Sequence, residues 1–189
     1  MREVGVPHPR LPLPAPGERD DPQAFLAWLG EAIPMVEHLG IREMRQEGER
    51  LVWELALVPN LNDKGTGFGG ALTAQTTLLG WCWTTLWLRE RGHARDVVVA
   101  EARQRFLAPV TGDYRLVCEP EGEQGPGTLA ERLASRGRGR IALVQQLWCG
   151  DTLCLEAHGD YAVLPIASPS ESRKPACKRG LKPLDFAPF

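Results

Sequence analysis

The residues best suited to chemistry lie in one stretch, residues 59–70, which reads PNLNDKGTGFGG. It is dense in polar residues and glycine and directly precedes a long apolar segment. Gly69 and Gly70 are predicted to open a helix, so that unpaired backbone N–H groups and the positive end of the helix dipole point into the loop. Such donors polarise a carbonyl oxygen, and glycine lets that oxygen approach without a side chain in the way. A purely structural role, as a tight turn between strand and helix, is the alternative.

The polar side chains of this loop each admit two interpretations. Asp63 is the only carboxylate in the stretch, so it is the candidate general base; the alternative is a solvated carboxylate paired with Lys64. Asn62 could orient water or substrate with its amide, or shape the loop as an Asx-turn. Asn60 is typical of a turn former, with substrate contact as the alternative.

A narrow stripe of small or hydroxyl side chains follows along the predicted helix, at Thr73, Thr77, Gly80 and Thr84. It suits close approach to another backbone or to a ligand. Thr77 could hold a water molecule but cannot deprotonate it, and Thr73 is predicted to contact substrate. Within the loop, the residues predicted to set its shape and line a substrate pocket are Gly65, Thr66 and Phe68.

The elements that must position these residues follow from periodicity. Asp21 is a plausible N-cap for a first helix with Pro22 at its first position. A second, longer helix is apolar on most sides, which indicates burial by its surroundings. The pattern predicts helices over 21–36 and 70–91, a short helical piece within 121–137, and strands over 39–46, 51–58, 97–107, 113–119, 139–149 and 152–164. This order indicates an α+β fold.

Proline placement predicts the domain boundaries. Of 16 prolines, six lie at or before Pro22 and five at or after Pro165, so the packed domain is predicted to span residues 23–164. Residues 1–22 are then a proline-rich extended arm. Residues 165–189 form a proline-containing basic tail, either solvated or used to dock on an anionic surface.

Composition excludes several classes of function. The formal charge is −2, which argues against nucleic-acid binding, and no apolar run is long enough to span a membrane. Five cysteines without a CxxC pair and without a signal peptide indicate reduced thiols in the cytoplasm and no metal site. The four histidines form no recognisable triad, and no GxSxG elbow is present, so covalent catalysis is disfavoured.

The loop, read as N-x-N-x-x-G-T-x-F-x-G from Asn60 to Gly70 and followed by Gly80-Trp81, resembles the hotdog-fold thioesterases. The resemblance is strongest to the thioesterase-like C-terminal domain of YiiD-type proteins and covers residues 33–164. It implies a hotdog fold, in which an antiparallel sheet wraps one long central helix. Compared with the broader phenylacetyl-CoA-type group, Phe68 stands where that group has histidine and Thr77 where it has an acidic residue. The resemblance therefore implies the same scaffold, but this chain lacks the acidic residue that serves as the general base in that group.

The resemblance implies an acyl thioester hydrolase that acts on acyl-CoA or acyl carrier protein, with no cofactor beyond the coenzyme A of the substrate. A hotdog module that binds an acyl chain or CoA ester without turnover is the alternative. Arginines that could contact coenzyme A phosphates, or simply be solvated, are Arg103, Arg105, Arg138 and Arg140. An obligate homodimer or larger homo-oligomer, with active sites shared between subunits, is also expected. The small-residue stripe lacks an evident partner in a one-sheet monomer, and an edge strand would be open.

Overall fold

The computed structural model describes residues 4–166. Its helices are α1 (Pro22–Ala32), α2 (Gly69–Arg89) and α3 (Gly125–Arg136). Its strands are β1 (Ile41–Glu47), β2 (Arg50–Leu55), β3 (Val97–Phe106), β4 (Tyr114–Pro120), β5 (Gly139–Cys149) and β6 (Thr152–Val163). Short 3-10 turns occupy Pro34–His38 and Val58–Asn60.

The six strands form one antiparallel sheet in the order β1-β2-β4-β5-β6-β3. Helix α2 packs against β2, β3, β4, β5 and β6, and its buried leucines Leu79 and Leu86 join sheet residues such as Leu116, Leu143 and Leu155 in one core. The α+β prediction of a sheet around one long helix is therefore confirmed.

The element bounds differ from the predicted ones where proline or a turn intervenes. The first helix ends at Ala32 rather than near Val36, because Ile33 is extended and a residue before proline is disfavoured in the helical region. The second strand ends at Leu55, and the 3-10 turn takes over at Val58. The short helical piece expected within 121–137 is a helix of 12 residues.

The small-residue stripe on α2 has a partner within the same chain. A Cβ at Gly80 would overlap the Tyr161 hydroxyl, and one at Gly159 would lie 2.5 Å from the same ring. The Tyr161 hydroxyl donates to the Thr77 carbonyl oxygen at 3.0 Å, so the ring of β6 lies in a slot against α2. The expectation that the stripe lacks a partner in a one-sheet monomer was therefore wrong for this half of it, because the tyrosine uses the space.

The described part of the N-terminal arm is fixed to the domain by one buried ion pair. The Arg89 guanidinium, at the end of α2, donates to both Asp20 carboxylate oxygens at 2.7 and 2.8 Å. It also donates to the carbonyl oxygens of Leu11 and Pro12. Nearby, Trp28 donates its indole N–H to the Pro9 carbonyl oxygen at 2.9 Å. The arm thus packs along the C-terminal end of α2. Of the predicted tail, residues 165–189, all but the first two lie outside the described residues.

Within residues 4–166, none of the helices combines the length and apolar character needed to cross a bilayer.

Candidate functional site

The loop that leads into α2 is anchored at its base by Asn60. This side chain is 3% exposed, and its amide donates to the carbonyl oxygens of Leu39 and Ala56 at 2.9 and 3.0 Å. The backbone carbonyl oxygen of Asn60 accepts from the Phe68 backbone N–H at 2.7 Å. These bonds join the two ends of the loop, and they correspond to the turn-forming interpretation of Asn60.

Asn62 organises the tip of the loop. Its side-chain oxygen accepts from the backbone N–H groups of Lys64 and Thr66 at 2.9 and 3.1 Å, which is an Asx-turn. Its amide donates to the Thr66 hydroxyl at 3.0 Å. Gly65 completes the turn with a φ of +73°, where a side chain would be strained. The amide of Asn62 is therefore engaged in shaping the loop.

Asp63 lies at the exposed tip of the loop. Its side chain is 80% exposed and lies 3.3 Å from the Lys64 ammonium group. The structure thus shows the ion pair that the alternative interpretation of Asp63 anticipated. Its assignment as the general base stays a prediction.

The start of α2 carries backbone N–H groups that no side chain caps. Phe68 is the N-cap residue and makes no side-chain cap bond, and the Leu72 N–H donates to the Phe68 carbonyl oxygen at 3.0 Å. The N–H groups of Gly69, Gly70 and Ala71 precede that first helical bond, and helix geometry gives them no acceptor within the helix. With the helix dipole they favour an oxygen that carries negative charge.

Two aromatic rings flank these donors. A Cβ at Gly69 would lie 3.5 Å from the Phe106 ring, and one at Gly70 would lie 2.6 Å from the Phe68 ring. Both rings are 54% exposed. The two glycines thus leave room for the rings, and the rings form an open apolar rim around the helix start.

Thr77 meets a residue that the sequence analysis did not single out. The Gln104 amide, on β3, donates to the Thr77 hydroxyl at 3.4 Å. Side chains alternate along a strand, so Arg103 and Arg105 lie on one face of β3 and Gln104 lies on the other. That alternation could have identified Gln104. The pair places a hydroxyl and an amide two turns along α2 from Gly70.

A neutral hydrogen-bond network holds the first half of α2 against the sheet. The Tyr114 hydroxyl donates to the Gln75 side-chain oxygen at 2.8 Å, and the Gln75 amide donates to the Leu39 carbonyl oxygen at 3.0 Å. Burial raises the pKa of Tyr114 to about 12, so it stays a neutral donor well above physiological pH. The Leu39 carbonyl oxygen also accepts from the Asn60 amide, so α2 and the loop are anchored to the same backbone group.

The chain entering the loop is held by Asp113. Its carboxylate accepts from the Leu57 N–H at 2.9 Å and pairs with Arg42. The Leu57 hydrogen bond, assisted by the Arg42 charge, holds the pKa of Asp113 below its usual value. The carboxylate is therefore ionised and fixes the segment just before the Val58–Asn60 turn.

Other reactive groups are placed unfavourably for catalysis. Burial raises the pKa of the Cys82, Cys118 and Cys154 thiols, so they lack the thiolate character of a nucleophile. No group of three metal-ligating side chains occurs among residues 4–166. The remaining predicted contact, Thr73, is half-buried one turn before Thr77, and its carbonyl oxygen accepts from the Thr76 hydroxyl.

Residues 23–165 match the sequence model of the family described as “Putative thioesterase (yiiD_Cterm)”. The chain belongs to this family. The match covers most of the chain and includes the whole loop, α2 and the sheet. The resemblance to YiiD-type thioesterase domains that the loop motif indicated is therefore confirmed.

Solved structures agree with this assignment. A protein described as a putative thioesterase from Shewanella oneidensis is 27% identical, with a TM-score of 0.68 over 76% of this chain and 97% of its own. A protein of unknown function from Chlorobaculum tepidum TLS is 25% identical, with a TM-score of 0.69 over 76% and 93%. A thioesterase from Haemophilus influenzae, 17% identical with a TM-score of 0.63 over 80% and 96%, shares the fold. The hotdog fold is confirmed.

Proposed function

We propose that the protein hydrolyses acyl thioesters whose carrier is coenzyme A or an acyl carrier protein, without a further cofactor. The supporting observation is the uncapped start of α2, in a member of a thioesterase family. The N–H groups of Gly69 and Gly70 would hold the thioester carbonyl oxygen as it gains negative charge. Each such donor is worth about 3 kcal/mol in comparable enzymes.

The surrounding side chains suit the rest of the reaction. The rings of Phe68 and Phe106 give the acyl chain an apolar surface next to these donors. The Thr77 hydroxyl and Gln104 amide would position the attacking water. Neither accepts a proton at neutral pH, so Asp63 is the proposed base. It takes a proton from the water as the water oxygen bonds to the carbonyl carbon. It then returns that proton to the sulfur as the C–S bond breaks, so the products are a carboxylic acid and the carrier thiol.

The remaining predicted contacts take supporting roles in this proposal. Asn60, Asn62, Gly65 and Thr66 fix the loop that presents the helix start, through the hydrogen bonds already described. Thr73, half-buried on α2, would contact the substrate.

Binding of a thioester without turnover is the second candidate. It is favoured by one observation: the polar groups paired on α2 and β3 are a hydroxyl and an amide, and the only loop carboxylate is exposed and paired with Lys64. In that case the uncapped helix start would hold the carbonyl, and nothing would deprotonate water.

Hydrolysis of a panel of acyl-CoAs and acyl carrier proteins, followed with a thiol reagent, tests the proposal. We expect turnover by the parent protein and its loss in Asp63→Asn, with Asp151→Asn, an exposed carboxylate in the β5–β6 turn, as the matched control. Full turnover in Asp63→Asn would remove Asp63 as the base. Tight binding of a CoA ester with no turnover in the parent would support the binding module instead.

The helix start is tested by Gly70→Val. The branched side chain would push aside the Phe68 ring and crowd the carbonyl position. Because that ring is exposed, we expect a folded protein by circular dichroism whose kcat falls roughly 100-fold or more. Equal turnover in variant and parent would contradict the role of these N–H groups.

We further propose a homodimer that pairs two β3 strands. β3 forms one edge of the sheet, and apolar side chains along it and beside it are exposed: Phe68, Val98, Val99, Phe106 and Leu107. An exposed apolar edge strand tends to pair with another strand, and β3 of a second copy offers the same unpaired backbone groups and apolar side chains. Light scattering at micromolar concentration should give twice the chain mass of 20.9 kDa; an active species of single-chain mass would contradict the dimer.

A further inference from the structure

Four arginine side chains converge on one groove at the far end of the sheet from the loop: Arg132, Arg136, Arg138 and Arg140. The groove has a volume of about 510 Å³, and its remaining lining is Gly139 and residues 162–165. Within the described chain, its lining includes no acidic side chain. The whole protein carries a net charge of −2, so this positive charge is a local concentration.

Two different periodicities bring the arginines together. Arg132 and Arg136 are four residues apart on α3 and share one helix face. Arg138 directly precedes β5 and Arg140 is its second residue, so the two are on the same side of the extended chain. The close approach of α3 to β5 requires Gly139, where a Cβ would lie 2.6 Å from the Leu129 side chain.

The turn between the two elements is also fixed. Gly137 ends α3 with a φ of +64°, and Arg95 donates to its carbonyl oxygen. The end of α3 and the start of β5 are therefore held close together by the backbone. The backbone and the packing of α3 against β5 form the groove, and no contact between the arginine side chains is needed to form it.

Most of this charge is unneutralised. Arg140 pairs with Asp160 at 3.0 Å, and in residues 4–166 the other three guanidinium groups have no ion-pair partner. By contrast, a wider depression of about 690 Å³ on the sheet is lined by arginines that are already paired, Arg50 with Glu119 and Arg115 with Glu54. Because like charges in a groove repel each other, a polyanion bound there relieves that repulsion.

We propose that this groove binds the phosphate groups of the nucleotide end of a coenzyme A thioester. The proposal rests on the proposed thioesterase function and adds the carrier. Guanidinium groups match phosphate oxygens in a two-pronged geometry, and the volume lies in the usual range for small-molecule sites. The 3′-phosphate and pyrophosphate of coenzyme A place several negative charges within a compact volume, as four converging arginines require. The tail that follows residue 166 has five basic and two acidic residues in its last twenty, so it does not match the groove in charge.

In the proposed dimer the groove lies near the proposed active site of the second subunit. Val163 pairs with both Val97 on β3 and Gly139 on β5. Two β3 strands that pair antiparallel over their full length put Val97 of one subunit opposite Phe106 of the other. The groove strand β5 is then three strand spacings, about 14 Å, from the strand that carries the second subunit's aromatic rim. In such a dimer the groove of one subunit and the helix start of the other would lie at the same end of the paired strands.

Binding of adenosine 3′,5′-bisphosphate, measured by calorimetry on the full-length protein, tests the groove without requiring turnover. We expect binding to the parent and at least tenfold weaker binding to the double variant Arg136→Ala/Arg138→Ala. Arg50→Ala, a surface arginine outside the groove, is the matched control and should bind as the parent does. No binding to the parent, or equal binding to parent and double variant, would overturn the proposal.

Kinetics separate the carrier from the chemistry. With acyl-CoA, the double variant should show a KM at least tenfold higher and an unchanged kcat, whereas an acyl-pantetheine with the same acyl group should show no change. A KM change with acyl carrier protein alone would make an acidic protein the occupant and overturn the assignment to coenzyme A. If the parent hydrolyses no thioester yet binds the bisphosphate through these arginines, the proposed hydrolysis fails while the groove assignment stands.

Discussion

The two ends of α2 are built in opposite ways. At its start, Gly69 and Gly70 follow a residue without a cap bond, and their N–H groups lie beneath two exposed rings. At its end, Arg89 is buried, and its guanidinium donates hydrogen bonds to Asp20 and to two backbone carbonyl oxygens of the arm. The start of the helix leaves its donors unused, whereas at the end four of the five guanidinium N–H groups of Arg89 are hydrogen-bonded.

This difference separates the requirements of binding from those of stability. Unused donors at a helix start lower stability slightly but leave a site for an anionic oxygen. A buried charge that is already paired offers little to a ligand, yet removing either partner is costly. Between the two ends, Gln75 and Tyr114 hold the open half with neutral hydrogen bonds, so the open end need not be loosely attached.

The largest effect is expected at the closed end. Arg89→Ala leaves the Asp20 carboxylate buried without its partner, so the free energy of unfolding should fall by roughly 3–5 kcal/mol. Urea denaturation measures this change. Arg50→Ala removes an exposed pair with Glu119 and should cost at most about 1 kcal/mol. Equal losses in the two variants would show that the contrast between the helix ends has no energetic basis.

An intermediate effect is expected in the middle of α2. Gly80→Ala would force the Tyr161 ring out of its slot, and overpacking of this kind costs about 1–3 kcal/mol. Gly127→Ala, in α3 with no atom within 4 Å of the added Cβ, should be neutral or slightly stabilising, because alanine is the better helix former. Thermal unfolding compares them, and a Gly80→Ala protein as stable as the parent would refute the slot.

The smallest effect is a pH dependence at the anchor of the open half. Burial raises the pKa of Tyr114 to about 12, whereas an unfolded tyrosine titrates near 10. Between these values the unfolded chain loses the proton and the folded state keeps it, so the free energy of unfolding falls as pH rises, by up to ~1.4 kcal/mol per pH unit. Below the unfolded value this contribution is fully present.

Urea denaturation between about pH 9 and 12 checks this anchor, with Tyr114→Phe as the comparison. The variant should lose stability less steeply with rising pH, because it lacks the titration of Tyr114. The other tyrosine of the chain, Tyr161, is present in both proteins and does not contribute to the difference. Identical slopes would mean that Tyr114 does not report on the anchor.

Much of this architecture follows from local pattern. The N-cap Asp21, the start of α2 and the full extent of β5 were predicted because capping chemistry, glycine placement and alternation are local signals. The pairing of Arg89 with Asp20 was not, because 69 residues separate the partners and neither shows a distinguishing pattern. Gln104 lies on the strand face opposite the residues that were considered. Of the groove, only Arg138 and Arg140 were singled out, because the contribution of Arg132 and Arg136 depends on how α3 packs against β5.

The slot that holds Tyr161 also limits how sequences of this family can vary. Gly80 on α2 and Gly159 on β6 both contact the Tyr161 ring so closely that neither position has room for a Cβ. A substitution at position 80, 159 or 161 therefore depends on the residues at the other two. A smaller residue at 161 leaves a cavity, and a larger one at 80 or 159 has no space while the ring remains. Relatives that lack this tyrosine should therefore fill the space from positions 80 or 159, and the order of those changes during divergence would be constrained.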